Sequence, residues 1–285
     1  MTYPEILNEL GRGEPVQLKG IGGGCIADAR VATFADGSSV FVKSVAGAPG
    51  MFEREAEGLH ALSSTGAIRI PEVLAVDKEA LVLEMIHEAP KKAGFFESFG
   101  RAFAKLHDHR GPSFGFPHDN FIGSTPQCNE PLDGYGWPEF FLVRRLRFQA
   151  KLAASRGHGH EIEHLLDRAE GSITELLGAS IELPSILHGD LWGGNFIVDE
   201  RGEACLIDPA AYYGHREADL AMTRLFGGFS SEFYAAYDEA SPLALGHEDR
   251  LPVYQLYHLL NHLNLFGSAY YAQCMRILRR YATGL

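Results

Sequence analysis

Hydrophobic and polar residues change their spacing along the chain, and this change divides it into two parts. In the first part, short and mostly apolar runs are separated by turn-forming residues, as is typical of β-strands. A hairpin turn is predicted at Ala35-Asp36-Gly37, and a helix at each of Pro4–Leu10 and Phe52–Leu62. The predicted strands are 27–34, 39–45, 73–76 and 80–86.

From about residue 95, apolar residues recur at helical spacing. The predicted helices are 95–107, 137–154, 160–177, 217–225 and 254–266. The two patterns together predict an α+β, bilobal fold. A small β-rich N-terminal lobe is expected over 1–88 and a larger, mainly α-helical lobe over 89–285, with a ligand cleft between them.

Composition narrows the class of protein. A chain of 285 residues that is 46% hydrophobic can bury a substantial core. The net charge is −12 and basic residues occur in no run longer than a pair, which argues against a nucleic-acid partner. The sequence shows neither a secretory signal pattern nor an apolar run of membrane-spanning length, so we expect a cytoplasmic protein without a membrane partner.

The segment 187–209, LHGDLWGGNFIVDERGEACLIDP, carries the most specific chemistry. Asp190 is followed by Asn195 and, after a predicted hairpin of two short strands, by Asp208. Phosphoryl transfer needs a carboxylate that orients the attacking hydroxyl and oxygen ligands that hold Mg²⁺ against the ATP phosphates. Asp190 is the candidate base, and Asn195 and Asp208 are the candidate metal ligands. Alternatively, Asp190 only caps a turn and Asp208 is a surface turn residue.

The N-terminal part contains candidates for binding the phosphates of ATP. Gly22, Gly23 and Gly24 would let backbone N–H groups approach phosphate oxygens, although such a turn also occurs without a ligand. Lys43 lies between apolar residues of a predicted strand, where its ammonium needs an anion. Glu55 shares the apolar face of the next helix and is a better partner than Glu53. The alternative is that Lys43 is an exposed lysine on an edge strand.

The apolar run that ends in Glu84-Met85-Ile86 leads into the boundary between the lobes. The carbonyl group of Glu84 could accept a hydrogen bond from the adenine amino group, and the N–H of Ile86 could donate one to a ring nitrogen. The same sequence would also serve as an ordinary buried strand.

The ordered set of GGG, Lys43, Glu55, LEMI, HGDLWGGN and IDP resembles the protein-kinase-like superfamily. Within it, the chain resembles the fructosamine kinase (ketosamine-3-kinase) family over nearly its whole length. The motifs that carry this closer resemblance are GGGCIADAR, DNFIGSTPQCN, WPEFFLVRRLRFQ, HGDLWGGN, IDPAAYYGHREADLAMTRLFGGF and QLYHLLNHLNLFG.

The resemblance implies a bilobal fold like that of the aminoglycoside phosphotransferases. It also implies phosphorylation by MgATP of a sugar hydroxyl, usually O3, on a small-molecule ketosamine or glycated amine, in deglycation repair. Asp190, Asn195 and Asp208 match the catalytic and metal positions of the family, and Lys43 and Glu55 match its ATP-anchoring pair. The sequence departs from protein kinases in one respect: Asp208 is followed by Pro-Ala and by no activation loop of the regulated kind, so a regulated protein kinase is not expected.

Other residues near the motifs have more than one interpretation. Asp219 is expected to accept backbone N–H groups of the catalytic loop, and His188 is expected to have a structural role. Core packing is the favoured role of Phe226. The candidate substrate contacts, for which core packing is the alternative, are Trp192, Tyr212, Glu217 and Phe229.

Cysteine and histidine residues suggest two further hypotheses. Cys25 in the glycine-rich segment could be redox-active and join two chains, so we expect a monomer or a redox-dependent homodimer; a spectator thiol is the alternative. His258 and His262 have the i, i+4 spacing of a metal pair, but the glutamate of HExxH and a third ligand are missing.

Two alternatives to ketosamine phosphorylation remain open from the sequence. The first is a kinase for another small molecule, such as an aminoglycoside or choline. The second is a nucleotide-binding scaffold without transfer activity, which the presence of a candidate base, Asp190, disfavours.

Overall fold

A five-stranded antiparallel sheet forms the centre of the N-terminal lobe, in the strand order β1-β2-β3-β5-β4. The computed structural model describes residues 3–8, 10–21, 27–45, 47 and 50–283. The elements of this lobe are α1 (Tyr3–Asn8), β1 (Gln17–Ile21), β2 (Asp28–Thr33), β3 (Ser39–Ser44), α2 (Met51–Ser63), β4 (Val73–Val76) and β5 (Ala80–Glu84).

The alternation of side chains along β3 gives this sheet two different faces. Val40 and Val42 are buried on the face that also contains Ile6 and Leu7 of α1. The residues between and after them, including Lys43, lie on the opposite face, towards the cleft. The strand thus buries one row of side chains and presents the other row to a ligand.

Helices dominate the C-terminal lobe. Its helices are α3 (Phe95–His107), α4 (Trp137–Phe140), α5 (Phe148–Ala153), α6 (Glu161–Gly178), α7 (Glu217–Leu225), α8 (Ser231–Ala240), α9 (His247–Phe266) and α10 (Tyr271–Ala282), with π-helical turns at Phe141–Arg147 and Ala154–His158 and a 3₁₀ turn at Ser268–Tyr270. Its strand pairs are β6 (Asn120–Ile122) with β7 (Thr125–Gln127), β8 (Ser185–Leu187) with β11 (Tyr212–Gly214), and β9 (Phe196–Val198) with β10 (Ala204–Leu206).

Aromatic packing connects the helices to the β9–β10 hairpin. Phe99 of α3 lies 5.2 Å, between ring centroids, from Phe233 of α8 and also 5.2 Å from Phe196 of β9. Both contacts have the edge-to-face geometry that aromatic pairs prefer. The helical core therefore supports the hairpin that carries two of the candidate site residues.

One arginine links the two lobes beside the cleft. Arg69 donates to Glu84 at the end of β5 at 2.6 Å, and to Asp199 and Glu200 in the turn of the β9–β10 hairpin at 2.8 and 2.7 Å. The carboxylate of Asp199 is buried and also accepts the backbone N–H groups of Arg201 and Glu203. These contacts fix the hairpin against the strand predicted to bind adenine.

The predicted α+β bilobal architecture is confirmed, and the lobe boundary between residues 88 and 89 stays a prediction. The elements β1, β6, β7, β11, α8 and α10 were not predicted, and α9 begins seven residues before the predicted start of 254. Among the helices in the described part of the chain, none has both the length and the apolar character needed to cross a bilayer.

Candidate active site

The loop that connects β8 to β9, residues 188–195, carries Asp190 and Asn195 and is the candidate catalytic loop. Gly189, which precedes Asp190, has a φ of +82°. A Cβ atom there would lie 2.0 Å from the carbonyl oxygen of Ala210. Both the left-handed backbone and the close contact therefore require glycine before the candidate base.

The hairpin brings the two candidate metal ligands to the same end of paired strands, as predicted. Phe196 pairs with Leu206, and the N–H of Ile207 donates to the carbonyl oxygen of Asn195 at 3.1 Å. Asp208 follows immediately with a φ of 55°, an uncommon conformation for a residue with a side chain. Strain of this kind is found where a side chain must be held in one direction.

Asp190 lies next to Asn195. The Asn195 amide nitrogen donates to the Asp190 backbone carbonyl at 2.8 Å and to its Oδ2 at 3.3 Å. Burial, followed by the charge of Asp208 and a smaller contribution from Asp219, raises the pKa of Asp190 well above its usual range. A cation between the carboxylates would lower this pKa again.

The donor set fits a magnesium ion. Both contacts of Asn195 use its amide nitrogen, so its amide oxygen can face a cation together with the carboxylate of Asp208. No cluster of three or more His, Cys, Asp or Glu side chains suited to a metal occurs in the described ranges. Mg²⁺ commonly uses only one or two protein oxygens and completes its shell with water and substrate phosphates.

Lys43 forms the predicted ion pair with Glu55, with 2.6 Å between Nζ and Oε1. It forms a second ion pair, also 2.6 Å, with Oδ1 of Asp208. Burial disfavours the ammonium, but these two carboxylates outweigh it and raise the pKa of Lys43 above its usual value. Burial also raises the pKa of Glu55, against the opposing effect of Lys43. Lys43 is therefore charged and can bind a negatively charged group in the cleft.

Asp219 holds the catalytic loop from below, as expected. Its two carboxylate oxygens accept the backbone N–H groups of His188 and Gly189 at 2.7 and 2.8 Å. His107, which the sequence did not single out, adds a contact of 3.2 Å from its Nε2 and is held by Tyr237 at 2.7 Å. Burial opposes ionisation of Asp219, but its contacts with His107 and with the loop lower its pKa overall.

The expected structural role of His188 fits its surroundings. Its side chain is buried, and its Nε2 lies 2.9 Å from the carbonyl oxygen of Ile207, so this nitrogen carries the hydrogen and donates. The backbone N–H of Asp190 lies 3.3 Å from Nδ1, which can accept. His188 thus connects the catalytic loop to the segment that leads to Asp208.

A cavity of about 760 Å³ lies between the lobes and contains the candidate groups. Glu84, Met85 and Ile86 line the end predicted for adenine. Other apolar residues around the cavity, namely Ile21, Phe41, Leu83, Phe196, Ile197 and Ile207, provide walls suited to a flat ring. Gly22, Gly23, Gly24 and Cys25 lie outside the described residues.

Trp192 lines the cavity beside Asp190 and is 39% exposed, which suits a residue that contacts an acceptor. His262 of α9 also lines the cavity, and the rings of Trp192 and His262 both pack against Phe226. The Nδ1 of His262 lies 2.8 Å from the carbonyl oxygen of His258, so Nδ1 carries a hydrogen. Phe226 packs against the His262 ring at 4.6 Å and is 38% exposed, so the expectation that it is core is wrong.

Three candidate substrate contacts are corrected, because their side chains are used elsewhere. Tyr212 is buried under the Arg145 guanidinium, whose central carbon lies 4.1 Å from the ring centroid. Glu217 is fully buried and accepts two hydrogen bonds of 2.7 Å from Arg250. Phe229 packs among the rings of the α3–α8 core and does not line the cavity.

The chain matches the family model described as fructosamine kinase over residues 5–283. It is 39% identical over 272 residues to the chloroplastic protein-ribulosamine 3-kinase of rice, covering 93% of this chain and 78% of that protein. It is 39% identical over 235 residues to a ketoamine kinase candidate of Synechocystis, covering 81% of this chain and 78% of that protein.

A solved structure agrees with these sequence comparisons. The crystal structure of a fructosamine-3-kinase candidate from Thermobifida fusca aligns with a TM-score of 0.89 and 34% identity, covering 100% of this chain and 99% of that chain. The choline/ethanolamine kinase family protein of Mesorhizobium loti, with a TM-score of 0.63 and 18% identity, shares the fold.

Proposed function

Because the chain belongs to the fructosamine kinase family, we propose that it transfers the terminal phosphoryl group of ATP to a hydroxyl of a ketosamine, at position 3 of the sugar. The main support is the convergence of Lys43, Glu55, Asp190, Asn195 and Asp208 on one cavity between the lobes. An aminoglycoside or choline kinase and a non-catalytic scaffold are not favoured.

In this reaction, Lys43 binds phosphate oxygens of ATP while Glu55 keeps its ammonium directed into the cleft. The backbone of Glu84-Met85-Ile86 binds adenine. Asn195 and Asp208 would hold Mg²⁺, which offsets negative charge on the transferred phosphoryl group when bound.

Asp190 accepts the proton of the attacking sugar hydroxyl. The hydroxyl oxygen forms a bond to the terminal phosphorus of ATP while the bond between this phosphorus and ADP breaks. Asp219 keeps the loop in place through the N–H groups of His188 and Gly189. Trp192 and His262 form the acceptor side of the cavity. The phosphorylated ketosamine is labile, so this step would begin deglycation in the cytoplasm.

The proposal is tested by measuring ADP release from MgATP. The acceptors are ribulose- and fructose-modified lysine, unmodified lysine and an aminoglycoside. We expect release above background with the ketosamines alone. Release with the aminoglycoside alone, or equal release with every acceptor, would contradict ketosamine specificity.

The role of Asp190 is tested with Asp190→Asn, which keeps the shape of the side chain. Turnover should fall by about 10²- to 10⁴-fold, the usual contribution of a catalytic base, while an ATP analogue still binds. Asp36→Asn is the control, because Asp36 lies in an exposed turn of the β2–β3 hairpin. Near-normal turnover by Asp190→Asn would contradict the assignment.

A further inference from the structure

His258 lies on α9 behind the catalytic loop, and the mechanism above does not use it. Its side chain is only 4% exposed, and its Nδ1 has no hydrogen-bond partner among the described residues. This nitrogen lies 4.0 Å from Oδ1 of Asp190. A buried polar nitrogen without a partner is destabilising, so its position next to the candidate base requires an explanation.

The carboxylate of Asp190 has a nitrogen on each side. Asn195 approaches Oδ2 from the catalytic loop, at 3.3 Å. His258 approaches Oδ1 from α9, at 4.0 Å. The two nitrogens therefore address different oxygens of one carboxylate, which is the arrangement needed to fix its plane.

The protonation state of His258 determines what its Nδ1 can do. Burial, with a further contribution from His262, lowers the pKa of His258 to about 3, so the imidazole is neutral at neutral pH and carries one hydrogen. An ionised carboxylate only accepts hydrogen bonds. The contact with Asp190 is therefore favourable when Nδ1 carries this hydrogen.

We propose that His258 is a positioning residue for phosphoryl transfer: its Nδ1–H donates to Oδ1 of Asp190 in the loaded enzyme and holds the carboxylate between His258 and Asn195. The 4.0 Å distance shortens when MgATP binds, as catalytic hydrogen bonds commonly do in the substrate complex. His258 does not line the cavity, so it acts through Asp190 and not on the substrates directly.

The inference rests on the proposed function insofar as the attacking group is a hydroxyl. It is tested with three substitutions. Asn places a polar atom close to the position of Nδ1, Gln places one close to the position of Nε2, and Leu removes both. We measure kcat and KM for ATP and acceptor, and confirm folding by thermal melting.

We expect His258→Leu and His258→Gln to lower kcat by about 10- to 100-fold, the scale of a misplaced catalytic group, with KM for ATP within twofold of wild type. His258→Asn should recover most of kcat. A purely structural role would not separate Asn from Gln in this way. Equal kcat in the Asn and Gln variants would overturn the proposal, and this comparison remains decisive if the Leu variant does not fold.

Two measurements keep this test independent of the ketosamine assignment. The first is slow hydrolysis of MgATP, in which water replaces the sugar hydroxyl, and it should show the same order of variants. The second is a crystal structure with Mg²⁺ and a non-hydrolysable ATP analogue, in which Nδ1 and Oδ1 should lie within about 3.2 Å. A distance that stays near 4 Å would overturn the role of His258. If ATP is hydrolysed but no ketosamine is phosphorylated, only the proposed substrate class is overturned.

Discussion

Nζ of Lys43 lies 2.6 Å from Oδ1 of Asp208, so a strand of the N-terminal lobe is bonded directly to a candidate metal ligand of the C-terminal lobe. In a kinase with bound MgATP, the lysine binds negatively charged phosphate oxygens and the aspartate binds the positively charged Mg²⁺. Here Lys43 takes the place of the cation for Asp208, and Asp208 takes the place of the phosphate for Lys43. When nucleotide and metal replace this contact, Lys43 keeps its ion pair with Glu55 and Asp208 gains the cation.

Lys43→Met should remove both the ion pair with Asp208 and the cation that binds the phosphates of ATP. We expect kcat/KM for ATP to fall by at least about 100-fold, because the buried carboxylate of Glu55 loses its counter-ion and the phosphates lose theirs. Steady-state kinetics and titration with an ATP analogue measure the effect. The matched control is Lys92→Met, since Lys92 forms an exposed ion pair with Glu203. A Lys43→Met enzyme within threefold of wild type would show that the pair is structural.

Glu217→Gln tests the correction of a candidate substrate contact. Glu217 and Arg250 form a fully buried ion pair with two hydrogen bonds, and removing one charge leaves the other unpaired. We expect the free energy of unfolding to fall by about 3–5 kcal/mol, as is typical of a broken buried pair. KM for the acceptor should not change in the folded fraction. Denaturant unfolding and kinetics on one preparation separate these effects, and a selective rise in acceptor KM would restore a substrate role.

Trp192→Ala should weaken acceptor binding selectively. The indole lines the cavity next to Asp190, and loss of an aromatic contact with a sugar should raise acceptor KM by about 10-fold. KM for ATP should stay within twofold. Phe229→Ala is the comparison, because this ring packs in the core and its loss should lower the melting temperature without a selective effect on the acceptor. The prediction fails if both variants change acceptor KM equally.

Stability should decrease as pH falls from 7 to 5. His107, His215 and His258 are buried, and burial is the main cause that lowers the pKa of each below its usual value of 6.5. Below about pH 6.5 the unfolded chain binds protons that the folded chain does not bind, so the free energy of unfolding falls with pH. Each such histidine contributes a slope of about 1.4 kcal/mol per pH unit while it is protonated only on unfolding.

Urea unfolding between pH 5 and 8 measures this slope. His215→Asn should reduce it, and His160→Gln should not, since the His160 side chain is 87% exposed. If His215→Asn leaves the slope unchanged, His215 is not buried as a neutral group in the folded protein.

Short motifs predicted which residues lie together at the centre of the candidate site, because this placement depends on local spacing. The pairing of β9 with β10 follows from two short apolar runs and a turn, and it places Asn195 and Asp208 together. Lys43 and Glu55 were matched because an ammonium between apolar residues of a strand needs a carboxylate from the neighbouring helix. In both inferences the nearby sequence offers few alternatives: one neighbouring strand that can pair with β9, and few carboxylates that can reach Lys43.

The sequence was less informative where tertiary packing decides. All residues of β1 are exposed, so no hydrophobic alternation marks this strand. Pro252 lies inside α9, where proline normally ends or begins a helix, and the predicted start was therefore too late. Tyr212 and Glu217 lie close to the catalytic motif in sequence, but β11 and α7 bury them against Arg145 and Arg250.

His258 shows the same limit in a different way. The i, i+4 spacing of His258 and His262 suggested a metal pair, whereas the two rings have separate surroundings. The contact of His258 with Asp190 joins residues 68 positions apart, and no periodicity in the sequence encodes it.

Only three residues, Pro209 to Ala211, separate Asp208 from β11, and each of them is buried. Ala210 donates to the carbonyl oxygen of His188 at 2.9 Å, and Gln127 and Asn120 bind the carbonyl groups of Ala210 and Ala211. Folding alone thus sets this segment in its working position, and it offers no residue for a modifying enzyme to switch. This segment therefore needs no activating modification to reach the conformation that holds Asp208 beside Asn195.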